Sequence, residues 1–424
     1  MDTNYFHSVI LKSEKCIGCT YCLKICPTEA IRLKNGKAHI IKERCIDCGE
    51  CIRVCPNHAK NAITDDFNIL KKFKYNVAIF SPVLYSQFSY DASPDMIISS
   101  VKLLGFDDVY DSTPGAEIIS AILKNVIKDY ENKPVISSSC PAIVRLIQVR
   151  FSDLIDNLLD MKNPFEITAR LAKEKISKEK NIPLNDVGIF YITPCPAKAT
   201  SIKNPIGDSI SYIDGVISIR DIYGPMVRLL STNTIDSIGT KKSPSIDSFM
   251  WSIAGGQAES LGYDATLTVS GINNAISVLE EIEMGRLDKL SFVEMSACPG
   301  GCIGGPLVVE NRFIALNNIK NISKRLKKLE TNEEENAKYM EMYTNNIIRM
   351  SNKIEPSSVM KLDNDLTNSI KKMNAMENIM AGLPGIDCGI CGSPTCRAFA
   401  EDIVTGSRKD SFCPVNLMGK YKNR

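Results

Sequence analysis

Residues 293–306 read VEMSACPGGCIGGP. A strand-like apolar run, LSFVEM at 290–295, delivers the chain into Cys298 and Cys302, which stand among prolines and Gly300, Gly301, Gly304 and Gly305. Glycines at that density permit the close backbone approach that a bulky group demands. Two other cysteines stand alone in similar places: Cys140 closes KPVISSSC and Cys195 closes DVGIFYITPC. Between about 70 and 315 such runs, with YNVAIF and ATLTVSG, alternate with helix-like segments: PDMIISSVKLLG, GAEIISAILKNVIKDY, AIVRLIQVRFSDLIDNLL, PFEITARLAKEKIS and INNAISVLEEIEMG. The alternation predicts an α/β domain with largely parallel sheet, in which ligands gather at the carboxyl ends of strands. Cys140, Cys195, Cys298 and Cys302 all fall there. Pro141 suits the first position of a helix, so Cys140 is expected at a helix N-terminus, where the macrodipole favours a thiolate or an anionic cluster. Taken alone, Cys140 would read as a core residue. With three companions at strand ends it reads as a ligand.

The chain holds sixteen cysteines, which divide into four sets of four, the number of thiolates that holds one iron–sulfur cluster. CIGCTYCLKICP (16–27) and CIDCGECIRVCP (45–56) each follow C-x2-C-x2-C-x3-C-P, the pattern in which the fourth cysteine of each run serves the other run's cluster. One 4Fe–4S cluster is then expected on Cys16, Cys19, Cys22 and Cys55, and another on Cys45, Cys48, Cys51 and Cys26, with Pro27 and Pro56 turning the chain away. Zinc also accepts C-x2-C pairs, although two complete copies favour iron–sulfur. Further on, Cys388, Cys391, Cys396 and Cys413 follow C-x2-C-x4-C-x16-C through a helix-like CRAFAEDIV. Gly389 and Gly392 let the backbone close around a cluster and aim N–H groups at its sulfurs. Spacing alone leaves zinc open for this set; a resemblance to the small 4Fe–4S domain of several anaerobic redox proteins favours a third cluster. Between FIALNN and LPGIDC the chain turns polar with helical periodicity, and Ile370, Met373 and Met380 fall near one face of a predicted helical connector.

A net charge of +2, with 24% charged and 44% hydrophobic residues, gives no electrostatic case for nucleic acid or an anionic membrane. No apolar run approaches the roughly 18–20 residues that span a bilayer, and the opening residues lack the basic-then-apolar pattern of an export signal. A cytoplasmic protein is expected. Cysteines so abundant in that compartment argue for metal rather than disulfides.

SSSCP, TPCPAK and VEMSACPGGCIGGP resemble the three signature loops of the FeFe (iron-only) hydrogenases, usually written TSCCP, MPCxxKxxE and ExMACxxGCxxGG. GFDDVYDSTPGAE, GGQAE and SGINNAISVLEEIEMG have counterparts there too. The resemblance implies an α/β hydrogenase catalytic domain at 67–318, with mixed, largely parallel sheets flanked by helices and an H-cluster between two lobes. It implies a ferredoxin-like domain with two 4Fe–4S clusters at 1–66, a helical connector at 319–380 and a small 4Fe–4S domain at 381–424. An H-cluster is a 4Fe–4S cubane joined through a cysteine sulfur to a diiron subsite bearing CO, cyanide and a bridging dithiolate. Carried onto this sequence, the motifs have Cys140, Cys195 and Cys298 hold the cubane, while Cys302 holds it and bridges to the diiron unit. Lys198 matches the family lysine that hydrogen-bonds a cyanide, a cation suited to an anionic ligand.

The chain departs from the family along the proton path. Ser139 stands where active members carry a relay cysteine. A free thiol has a pKa of about 8.5; a hydroxyl is far less acidic but can donate and accept in concert. IISAILKNVIK offers none of the family's glutamates on the neighbouring helix. Thr193, Ser201, Ser296 and Phe165 replace methionine, glutamate, methionine and glutamine. Glu294, four residues before Cys298, and Glu259 in GGQAE remain to form another path, or else serve as caps and ion-pair partners. The expectation is an iron-only hydrogenase that interconverts hydrogen with protons and electrons at low turnover, with hydrogen sensing as a purpose. The alternative is a non-catalytic iron–sulfur electron-transfer or cluster-assembly protein without the diiron subsite. Implied partners are hydrogen and protons, a redox partner such as ferredoxin or a signalling protein, and the maturation proteins that insert the subsite.

Overall fold

The computed structural model describes residues 6–89, 91–231, 244–408 and 412–417; the outermost residues of the cluster domains expected at 1–66 and 381–424 lie outside these. The first cysteine run passes through β1 (Val9–Leu11), α1 (Tyr21–Ile25) and β2 (Ile31–Lys34), the second through β3 (Lys37–Ile40), α2 (Glu50–Arg53) and β4 (Lys60–Ala62). β1 pairs antiparallel with β4, and β2 with β3. Closing the outer strands on each other folds the two runs face to face, which is what crossed ligation needs.

The central region opens with β5 (Tyr75–Phe80), α3 (Pro94–Leu103), β6 (Asp108–Asp111) and α4 (Thr113–Val126). It continues through β7 (Val135–Ile136), α5 (Pro141–Arg150), α6 (Pro164–Lys180), β8 (Val187–Thr193), α7 (Pro196–Lys203), β9 (Gly215–Ser218) and α8 (Ile219–Ser231). After residue 244 come α9 (Ile246–Phe249), α10 (Gly256–Leu261), β10 (Thr266–Ser270), α11 (Ile272–Glu283) and β11 (Phe292–Ser296). Two sheets result, one in the order β6-β5-β8-β9 and one in the order β10-β11-β7. Every described pairing in both is parallel. Parallel sheets need helices on both faces, and β8 is accordingly buried at all seven residues.

Two features of this region differ from the sequence pattern. β6 and β9, four residues each, are too short to show periodicity, and β6 has an aspartate at either end. The run AIVRLIQVRFSDLIDNLL is not one helix. Phe151 leaves helical dihedrals (φ −129°, ψ 50°) and buries its ring, after which a 3-10 turn, Ser152–Asn157, takes over.

The tail forms α12 (Arg312–Ser323), α13 (Glu333–Thr344), α14 (Leu366–Ala381) and α15 (Cys396–Val404). The segment 319–380 is therefore helical for much of its length, but α12 and α13 lie on the central region. The Asn318 amide donates to the carbonyls of Ser86 and Phe88, and Met342 joins the core around α4. On α14 the buried side chain is Met376, while Ile370 and Met373 face outward, because only one row of that helix meets α15. No helix among the described residues is long and apolar enough to cross a membrane.

Candidate metal centre

Four cysteines converge where the two sheets face each other. Cys140 follows β7 and caps α5 with Pro141 as its first residue; Cys195 follows β8 and caps α7 with Pro196 in the same role. Cys298 lies two residues beyond β11, and Cys302 opens a single 3-10 turn, Cys302–Gly304. β8 belongs to the four-stranded sheet, β7 and β11 to the three-stranded one, so the thiols arrive from both lobes. They lie within electrostatic reach of one another: Cys195, Cys140 and Cys302 each disfavour charge on Cys298. Burial pushes Cys195 up to about 12, raises Cys140, and raises Cys298 well above an ordinary thiol.

The glycines of this loop serve the protein's own backbone. At Gly301 (φ +89°) a Cβ would stand 2.5 Å from the Ala254 nitrogen, and at Gly305 it would stand 2.5 Å from the Pro194 carbonyl oxygen. The Cys302 loop is thereby pressed against the Cys195 loop, an approach open only to glycine.

Lys198 lies on α7, one turn beyond Cys195, and is buried. Its Nζ is 3.8 Å from Cys302 Sγ and donates to the Tyr191 hydroxyl at 3.4 Å. It also sits over the Phe165 and Tyr191 rings, 5.5 and 5.8 Å from their centroids. Burial works against its charge, yet Cys302, Tyr191 and Cys195 outweigh it and hold the ammonium above an ordinary lysine. Among the described residues no carboxylate pairs with it. A buried cation without a carboxylate costs several kcal/mol, so this pocket suits an anionic guest that takes sulfur ligands.

The other cysteine sets meet in space as well. Cys26 joins Cys45, Cys48 and Cys51 around one pocket, walled by Ile31, Ile40 and Ile46. Cys22 lies in electrostatic reach of Cys19, Cys55 and Cys16, and burial pushes its thiol up to about 11. Cys388, Cys391, Cys396 and Cys413 line one pocket beside Phe399. Among the described residues no three cysteine sulfurs lie within 4.8 Å of one another. Thiolates on one tetrahedral zinc, with Zn–S of about 2.3 Å, would be about 3.8 Å apart. Four sets of four thiols match the number of ligands that hold iron–sulfur clusters.

Residues 74–260 and 258–306 match the family model for the iron only hydrogenase large subunit, C-terminal domain, which together is more than half of the 424 residues. The chain belongs to the iron-only hydrogenase family. Residues 15–59 match a 4Fe-4S dicluster domain and 383–415 an Fe-S cluster family. Iron hydrogenase 1 of Clostridium pasteurianum is 23% identical over 257 residues, covering 49% of this chain and 44% of that protein. The periplasmic Fe hydrogenase large subunit of Nitratidesulfovibrio vulgaris is 24% identical over 371 residues, covering 72% and 87%. A cytosolic Fe-S cluster assembly factor NAR1 homolog from Schizosaccharomyces japonicus is 27% identical over 104 residues, covering 24% and 19%. This chain therefore spans less than half the length of the Clostridium relative. A variant of the FeFe-hydrogenase HydA1 from Chlamydomonas reinhardtii superposes with a TM-score of 0.50 at 16% identity, covering 69% of this chain and 95% of that one, a likeness of fold.

Where iron-only hydrogenase loops carry methionine, glutamate and methionine, this chain's hydroxyls close the turns around the cysteines. Thr193 Oγ1 donates to the Cys195 carbonyl at 2.9 Å and accepts from the Cys195 N–H at 3.3 Å. Ser201 Oγ donates to the Lys198 carbonyl, and Ser296 Oγ to that of Cys298. Ser139 Oγ donates to Gln257 Oε1 at 3.3 Å, and Ser137 Oγ donates to the same oxygen. Gln257 is 2% exposed, and its Nε2 has no hydrogen-bond partner among the described residues. Glu294 accepts from the Gly255 N–H at 3.0 Å and the Ala258 N–H at 2.8 Å, holding the start of α10; burial pushes its carboxyl up to about 7. Glu259, exposed on α10, adds like charge to the same carboxyl.

The structure thus brings Ser139, Gln257 and Glu294 together, with Glu259 at the water side. Gln257 carried no flag in the sequence because an amide does not ionise. Tyr191 was hidden in an apolar strand. Glu166, pushed up to about 7 by burial beside a cavity that includes Ser138 and Ser201, was one more acid in a charged helix. Arg53, which hydrogen-bonds toward the Cys298 sulfur, could have been noticed as a charge two residues past Cys51.

Proposed function

We propose that this chain is an FeFe hydrogenase-like protein that interconverts hydrogen with protons and electrons slowly, in keeping with a hydrogen-sensing role. Three 4Fe–4S clusters would occupy the two N-terminal sets and the C-terminal set. An H-cluster would be held by Cys140, Cys195, Cys298 and Cys302; when bound, its diiron subsite supplies the open iron at which hydrogen is split or formed. The observation that carries the reading is Lys198, a buried ammonium 3.8 Å from Cys302 Sγ without a carboxylate, which fits a cyanide-bearing group better than a bare cubane.

The chain's own residues account for the slow turnover. Burial pushes the Glu294 carboxyl up to about 7, which suits proton exchange at neutral pH, and Glu259 is exposed on α10, the helix whose start Glu294 holds. Gln257 meets Glu294 and Ser139 through different groups: its backbone N–H points to Glu294, while its side-chain oxygen accepts from the Ser139 hydroxyl, and its amide does not ionise. Among the described residues no side-chain hydrogen bond joins Glu294 to Gln257, so the line from Glu294 to Ser139 is broken there.

The test is infrared spectroscopy of protein matured anaerobically with the hydrogenase maturation proteins. Bands from iron-bound CO and cyanide are expected. A preparation with full iron–sulfur absorption but no such bands overturns the reading and favours the alternative, an electron-transfer or cluster-assembly protein, which the similarity to the NAR1 homolog supports.

A further inference from the structure

The C-terminal cysteine domain is clamped onto the N-terminal one by charges held almost wholly out of water. Arg32 Nε donates to Asp402 Oδ2 at 2.6 Å, and that oxygen also accepts from Ser393 Oγ at 2.7 Å. Arg44 grips both carboxylate oxygens of Glu401 through its two terminal nitrogens. Thr395 Oγ1 donates to Glu29 Oε1 at 3.0 Å, and the Leu33 N–H donates to the Gly392 carbonyl at 2.8 Å. The Arg32 side chain is 4% exposed and those of Glu401 and Asp402 are 12% exposed. Buried pairs of this kind penalise any arrangement that separates them, so the two domains share a fixed interface.

That interface sets two groups of cysteines side by side. A Cβ on Gly389, next to Cys388, would lie 3.1 Å from the Leu23 side chain and 3.5 Å from that of Thr20, the neighbours of Cys22 and Cys19. The opposite side of the N-terminal domain meets the Cys140–Cys302 centre. A Cβ on Gly49, next to Cys48, would fall 2.4 Å from Pro306 and 3.2 Å from Pro196. Arg53 donates to the Gly304 carbonyl at 2.6 Å and reaches Cys298, and Thr200 of α7 donates to Asp47 at 2.8 Å. The sets therefore stand in one order: the C-terminal four, then Cys16, Cys19, Cys22 and Cys55, then Cys26, Cys45, Cys48 and Cys51, then the centre between the lobes.

We propose that the C-terminal cysteine site is the electron port of this protein, held as the outer end of a linear series by the Arg32–Asp402 and Arg44–Glu401 clamp. The proposal rests on the reading that the cysteine sets hold 4Fe–4S clusters, and is independent of the diiron subsite. A one-electron carrier is oxidised as the port is reduced, and each site inward gains the electron that its outer neighbour loses.

The test uses the full chain, reconstituted anaerobically with iron and sulfide, reduced with dithionite and read by electron paramagnetic resonance. The contribution of the C-terminal site, obtained by difference from Cys391→Ser, should show spin–spin broadening from the adjacent N-terminal set. Arg44→Glu and Glu401→Arg should each remove that broadening, and the double variant should restore it. With chemically reduced ferredoxin as the donor, the N-terminal sites should be reduced at least tenfold more slowly in Cys391→Ser. Broadening that is absent from the wild-type chain, or that survives both single reversals, overturns the clamp. An unchanged reduction rate in Cys391→Ser overturns the port. A chain that takes up no iron overturns the cluster reading itself, and iron analysis with visible absorption tells that failure apart.

Discussion

Gln257 lies between Ser139, whose hydroxyl donates to its Oε1, and Glu294, toward which its backbone N–H points, and its amide does not ionise. Its Oε1 accepts from two serine hydroxyls, while its Nε2 has no partner among the described residues. Exchanging it for a carboxylic acid keeps the shape and adds an exchangeable proton. Gln257→Glu is expected to raise hydrogen turnover per assembled H-cluster roughly tenfold, the low end of what a positioned acid or base contributes, and Glu294→Gln in the same background should abolish the gain. Turnover normalised to the infrared-quantified cofactor checks both; no gain in Gln257→Glu would place the interruption elsewhere. Lys198 shows the same principle from the other side, since its charge is tolerated in a buried place through sulfur and ring faces.

At the scale of elements, the centre depends on two strand-to-helix turns and one glycine loop keeping their separation. β7 contributes only two residues before the Ser137–Ser139 turn, so the position of Cys140 is set by α5 packing rather than by a long strand. The Cys302 loop is held by backbone contact at Gly301, which lies at φ +89° with Ala254 behind it. Gly301→Ala should therefore destabilise the chain by about 2–4 kcal/mol through left-handed strain and overlap with backbone. A lowered urea midpoint together with loss of iron from the central set is the expected result. Gly300, which also has positive φ but faces open space, is the control, and its alanine variant should cost less.

For the whole molecule, four buried thiol sets make stability and metal content inseparable. Burial pushes Cys195 to about 12 and Cys22 to about 11, against about 8.5 for a free thiol. The metal-free fold therefore keeps these groups protonated, and cluster loading must expel the protons. Loading of the metal-free chain should strengthen as pH rises from 6 to 8, by up to roughly tenfold per thiol for each unit, and chelation of the iron should lower the melting temperature. Iron uptake that is flat across this range would contradict it. How much of this was legible in the sequence depends on range. The cluster spacings, the strand–helix alternation and the prolines that begin α5 and α7 were readable because each is written in contiguous residues, where thiol spacing and hydrophobic period act locally. The sequence by itself determined the four cysteine sets and the iron-only hydrogenase fold. Only the tertiary structure decided that Ser139 turns to Gln257, 118 residues away, and that Arg32 pairs with Asp402, 370 residues away. The physical reason is that such partnerships arise from how packed elements face one another, and no local pattern along the chain encodes them.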